Sequence, residues 1–146
     1  MTTFSPSALI ARYALTPGVG VGPLLFGDRV ADHPELEPRH GESVFAPDND
    51  YAEYTIAGLE EMLIVYADGE GRIDSVGFYD FCLFDGHDLI GMGVGELLVL
   101  LGLPSIIEPE QVGREIELLY GYEALGLTVW TIEGEVCVVQ AGLAED

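Results

Sequence analysis

Twenty-six Asp and Glu residues stand against five arginines and no lysine, yet 49% of the 146 residues are hydrophobic. The net charge is −21. A chain this acidic and poor in apolar residues would stay disordered, because it could not bury enough surface to offset the entropy of ordering. The apolar half of this chain removes that outcome. What remains is a folded core wrapped in carboxylates, at a length that suits one domain spanning residues 1–146.

The charge also sorts partners. Nucleic acid binding depends on Lys and Arg neutralising phosphates, and anionic membranes repel carboxylates, so neither is expected as a partner. A basic protein surface is favoured, because complementary fields speed encounter and reject wrong partners. The apolar stretch at Ala8–Ala11 is broken by Arg12, no basic leader precedes it, and no apolar run reaches the ~18 residues that cross a bilayer. A cytoplasmic location is expected. Cys82 and Cys137 sit in apolar segments and read as small buried hydrophobes rather than a disulfide.

Along the chain a pattern recurs weakly, over about 18–84 and 85–143. Residues 54–76 and 120–139 each place a Tyr-rich strand, a Gly-Leu step, an alternating strand, a Gly turn and a further strand. The turns, Asp68-Gly-Glu-Gly71 and Glu133-Gly134-Glu135, are hairpin signals between apolar runs. In the first hairpin Ile64 and Tyr66 are expected on one side with Ile73 and Val76. In the second, Leu127, Val129 and Thr131 alternate with Thr128, Trp130 and Ile132, so both faces are largely apolar.

Val94, Leu97, Leu98 and Leu101 have helical spacing, and Gly102 and Pro104 provide the stop. The counterpart at Arg29–Gly41 is interrupted by Pro34 and Pro38, so a helix there is short or irregular. A further helix is expected near Pro6–Ala14, a loop at Pro47–Asp50, and strands at Tyr51–Ile56, Val76–Phe84 and Glu115–Tyr122. The fold class is α+β: an antiparallel sheet of two hairpin-rich repeats with short helices packed on one face.

Two stretches carry a resemblance. Ile-Gly-Met-x-x-x-Glu-Leu-x-x-x-Leu-Gly-x-Pro at Ile90–Pro104, followed by a meander, resembles the repeat unit of β-lactamase inhibitory protein-like folds. Gly-Val-Gly-Pro-Leu-x-Phe-Gly at Gly20–Gly27, with Gly-Leu-x-x-x-x-x-x-Gly-x-Val at Gly126–Val136, is similar to immunity proteins of bacterial polymorphic toxin systems. The first repeat departs from this pattern, carrying Val30-Ala-Asp-His-Pro-Glu-Leu-Glu-Pro in place of a leucine-rich helix. The resemblance implies a non-enzymatic cytoplasmic inhibitor of interbacterial competition, needing no cofactor, that binds and blocks a basic toxin or enzyme domain.

Several local constellations could carry chemistry, and each has a plainer reading. Asp85-Gly-His87-Asp88 offers oxygen and nitrogen donors to a metal or small molecule, but reads more simply as a solvated turn. His33 and His40 with Asp28 and Asp32 form a second cluster, again read as solvated loop. Asp48-Asn-Asp50 lacks the twelve-residue calcium loop and its terminal Glu, and Gly18–Gly22 lacks the Lys and Ser/Thr of a phosphate loop. No nucleophile–base order stands out.

The strongest binding candidate is the interleaved stretch Phe78–Asp88, where Tyr79 and Phe84 alternate with Asp80, Asp85 and Asp88. Rigid aromatics ringed by charge suit an interface with a basic protein. Glu108, Glu110, Glu115 and Glu117 are a second group of carboxylates expected to engage its Arg and Lys. The segment Leu97–Leu101 is apolar on nearly every side, so Val99 and Leu100 are either buried or a patch for a partner or a homodimer.

Overall fold

A computed structural model describes residues 6–38, 52–112 and 115–143, with side chains described for all but 6, 7, 110–112, 115 and 116. The expected loop at Pro47–Asp50, Tyr51, the Asp48-Asn-Asp50 motif and His40 lie outside these residues. The chain begins with helix α1 (Pro6–Arg12) and a three-stranded antiparallel sheet of β1 (Leu15–Thr16), β2 (Gly20–Val21) and β3 (Leu24–Leu25). A 3-10 turn at Val30–Asp32 follows, which is the short irregular element expected before Pro34.

The first meander is β4 (Leu36–Pro38), β5 (Ala52–Ile56), β6 (Leu63–Ala67) and β7 (Ile73–Phe78). A small hairpin, β8 (Leu83–Phe84) with β9 (His87–Asp88), then leads to helix α2 (Val94–Leu101). The second meander is β10 (Ile106–Val112), β11 (Glu115–Tyr122), β12 (Leu127–Ile132) and β13 (Glu135–Gly142). The two join into one eight-stranded sheet in the order β10-β11-β12-β13-β7-β6-β5-β4. Every pairing in it is antiparallel. The sheet with few short helices is the α+β arrangement expected. The central joint is β13 on β7, with Val139 opposite Phe78 and Ala141 opposite Val76.

Local chemistry explains the turns. Between β6 and β7, Asp68 Oδ1 accepts hydrogen bonds from the Glu70 and Arg72 amides at 2.9 and 3.0 Å, closing the loop that Gly71 completes. Between β12 and β13, Glu133 and Gly134 both have positive φ (51° and 80°), the pairing that a two-residue hairpin of matching twist requires. Helix α2 ends at Leu101, where the Gly102 amide bonds the Leu98 carbonyl at 2.9 Å. Strand β10 forms one edge of the sheet and carries Pro109 opposite Leu118.

Burial falls on one face of the sheet. Along β12, Leu127, Val129 and Thr131 are buried while Thr128, Trp130 and Ile132 are only partly so. The covered face, with Leu63, Val65, Val76, Phe78, Val129 and Val139, packs in one core with residues from the flanking elements. These include Tyr13 after α1, Val21 and Leu24 of the small sheet, Phe81, Cys82, Leu89 and Leu97 of α2. A fully buried apolar side chain of this size contributes about 1.5–3 kcal/mol. Phe78 and Phe81 meet edge to face, with centroids 5.8 Å apart.

Two expectations are corrected by the register. Val65 pairs with Val76, and a bulge follows at Tyr66/Ala67. Ile64 and Tyr66 therefore lie on the opposite face from Val76 and Ile73. The expected strand Val76–Phe84 is not one strand. It ends at Phe78, because Phe81 and Cys82 turn inward to the core and leave the plane of the sheet.

Gly126 makes the closest backbone approach that the second meander requires. Its φ is +67°, and a β-carbon there would sit 2.3 Å from the Gly142 carbonyl oxygen. At Gly134 φ is +80° but nothing lies within 4 Å of that position. Gly126→Ala is expected to destabilise by about 2 kcal/mol or more in urea unfolding, and Gly134→Ala by clearly less. Equal losses would show that backbone conformation alone, and not the approach to Gly142, sets the requirement.

Candidate functional site

The residues singled out in Phe78–Asp88 separate onto two sides of the sheet. Tyr79 leaves the end of β7 and folds back over the face opposite the core. Its ring lies against Gly77, where a β-carbon would come within 3.0 Å of it, and its hydroxyl is 2.8 Å from that of Tyr66. Asp80 is exposed in the bend that follows. Phe84 is partly buried against the core cluster, and Asp85 holds the β8–β9 turn at φ 49°.

Asp88 is a structural residue. Its Oδ1 accepts the Cys82 amide at 2.9 Å and the Ile90 amide at 3.0 Å, stitching the small hairpin to the chain that enters α2. Cys82 beneath it is free and buried, and desolvation, then the Asp88 charge, pushes its thiol far above the ordinary range. Cys137 is also free but only partly buried, its thiol raised by desolvation and then by Glu117. Neither thiol is an activated nucleophile.

The face opposite the core is the one place where the predicted residues assemble. Glu108 pairs in register with Leu119, and Leu119 with Trp130, so the three share this face across β10, β11 and β12. Glu117, two residues before Leu119 on the same strand, shares it as well. Glu110 stands opposite Glu117 and Glu115 opposite Val112 in the backbone register; the side chains of Glu110 and Glu115 lie outside those described. Ile106, 37% exposed, and Tyr79, 37% exposed, add apolar surface to this face. Gln140 bridges to Ser75 at 3.3 Å between Tyr79 and Trp130.

Sequence reasoning missed Trp130, Tyr66, Leu119 and Ile106 as members of this surface. The alternation in Leu127–Ile132 pointed to it, since both parities are apolar and only one can be packed in the core.

The histidine cluster is closed on itself: His33 Nε2 is 2.9 Å from Asp28 Oδ2 and Nδ1 is 3.3 Å from Glu35 Oε1. Among the described residues, no group of three or more His, Cys, Asp or Glu is arranged to hold a metal ion, the Asp85–Asp88 stretch included. No helix among them is long and apolar enough to cross a membrane. Comparison of the chain with protein-family models, curated proteins and solved structures gives no match.

Two measurements follow. Asp88→Ala is expected to cost about 1 kcal/mol, the usual net worth of a hydrogen bond to amides that water can partly reach. Asp88→Asn keeps an oxygen for both amides and should cost much less; equal losses in urea unfolding would contradict the role given to Oδ1. Asp74 on β7 has its carboxyl raised by desolvation, then by Asp68. A raised folded value means that ionisation weakens the native state, so this group's contribution improves as pH falls through it. Asp74→Asn should therefore raise the melting temperature at neutral pH, with the gain fading in acid. A gain that is independent of pH would refute the assignment.

Proposed function

We propose that this chain is an acidic inhibitor, an immunity protein in type, that binds a basic toxin or enzyme domain and occludes its active site. The observation that carries the reading is the two-sided sheet. One face is spent on the core. The other keeps Tyr79, Trp130, Leu119 and Ile106 beside Glu108 and Glu117, in a chain of net charge −21. Aromatic and aliphatic anchors ringed by one sign of charge suit a protein partner of the opposite sign. The carboxylates engage the Arg and Lys that otherwise meet the partner's substrate. Encounter is steered by the field and slows as salt rises.

Such an inhibitor works in the bacterial cytoplasm and has no chemistry of its own. Its two meanders are copies of one unit in this reading, which their mirrored order about β13 and β7 favours. Asp85, Asp88 and Phe84 fall outside the contact surface, because they belong to the hairpin packed on the core side; Asp80 borders it.

The protein, tagged and mixed with extract of the cells that make it, should recover a basic protein at low salt. Tyr79→Ala and the pair Glu108→Lys with Glu117→Lys should each lower recovery at least about tenfold, while Asp85→Asn leaves it unchanged. Undiminished capture by the second-face variants would move the interface elsewhere. Failure to recover any basic protein would count against an inhibitor.

A second reading has its own observation. Val99 and Leu103, at the outer side and end of α2, are 88% and 87% exposed. Such a pair suits self-association through the helix. Sedimentation over a range of concentrations decides it: a dimer abolished by Val99→Ser with Leu103→Ser supports this reading, and a monomer throughout removes it.

A further inference from the structure

Among the described residues, two cations meet at one place on the acidic surface. Arg29 and Arg72, two of the five arginines, are brought opposite each other by an antiparallel bridge between the chain after β3 and the start of β7. The backbone fixes them there. Val30 donates its amide to the Gly71 carbonyl at 2.9 Å, and Ile73 donates to the Asp28 carbonyl at 2.8 Å. Like charges directly opposite across a strand pair are destabilising. In a chain this rich in carboxylates, each would be expected to have an acidic partner. Neither has one among the described residues, where the ion-pair contacts are those of His33. Among the described residues the one side-chain hydrogen bond from the pair is Arg72 Nη1 to the Gly27 carbonyl, at 2.9 Å, which pins one guanidinium through a single donor.

The two arginines line an open cleft of about 700 Å³, together with Val30, Ala31, Tyr54 and Glu70. That volume is within the range of small-molecule sites. A local rule broken without a structural return is the mark of a functional position.

We infer that this cleft binds a small phosphate monoester carrying a flat ring. Two guanidiniums match the charge of one dianionic phosphate and offer it paired donors in fork geometry. Tyr54 and the side chains of Val30 and Ala31 supply an aromatic and apolar wall for the ring. Glu70 accepts from a donor on the ring and repels a second acidic group, which selects a monoester over a polyphosphate. The field of the remaining carboxylates is screened beyond about 8 Å at physiological salt. It therefore excludes long polyanions while leaving a small anion free to reach the arginines. The site is separate from the face proposed for a protein partner, and neither reading depends on the other.

The test is a titration of the isotopically labelled protein with phenyl phosphate, followed by amide shifts. Saturable shifts confined to the 27–31 and 70–72 segments and to Tyr54 are expected. Arg29→Gln leaves the Arg72 bond to Gly27 intact and should weaken binding about tenfold or more; Arg12→Gln, on another part of the surface, should not change it. Tyr54→Leu should remove the preference for phenyl phosphate over methyl phosphate. An absence of saturation at millimolar ligand, or binding indifferent to Arg29→Gln, overturns the site. Equal affinity for methyl and phenyl phosphate in the unmodified protein overturns the part of the inference that assigns a ring.

Discussion

The pairing of β13 with β7 is the contact on which the remainder depends. Each meander alone is a curved ribbon with one apolar face and nothing to close against. Joined through Val139 opposite Phe78 and Ala141 opposite Val76, they form a continuous surface wide enough to receive both helices and the small sheets. The same joint sets which residues face outward. Gln140 opposite Gly77 leaves a shallow place at the middle of the second face, and the Tyr79 ring fills it.

Electrostatics shape what such a protein can meet more than whether it folds. Two exposed charges 4 Å apart in water interact by about 1 kcal/mol, and salt reduces this further at longer range. A single buried Leu or Phe contributes more than that, and the core contains Phe78, Phe81, Leu24, Leu63, Leu89 and Leu97, all at 2% exposure or less. The acidic shell is therefore tolerated by the fold and free to act on partners. The meeting of Arg29 and Arg72 within it is made by main-chain pairing rather than by side-chain attraction.

Much of the architecture was legible in the chain. Hairpins announced by Asp68–Gly71 and Glu133–Gly134, the α2 stop at Gly102 and the strand Glu115–Tyr122 all follow from local chemistry that tertiary packing does not override. The site was less legible. Val76–Phe84 reads as one strand because its apolar and aromatic residues run on with no turn signal, but Phe81 and Cys82 are drawn into the core and split the segment. Face assignment in β6 failed for a different reason: Leu63, Ile64 and Val65 are all apolar and all buried, so the residue pattern does not mark which parity packs in the core, and the extra residue of the bulge, Asp74, lies in β7. The Arg29–Arg72 pair spans a long sequence separation and leaves no local pattern to find.

Strand β10 bounds the sheet with a row of backbone groups that another chain could pair with. Pro109 lacks an amide hydrogen, and Glu108 beside it is charged and exposed. Two copies laid edge to edge would bring like charges together and leave a gap in the ladder. The β10 edge is thereby a poor template for a second copy of itself, and the outer face of the sheet remains open to a different surface.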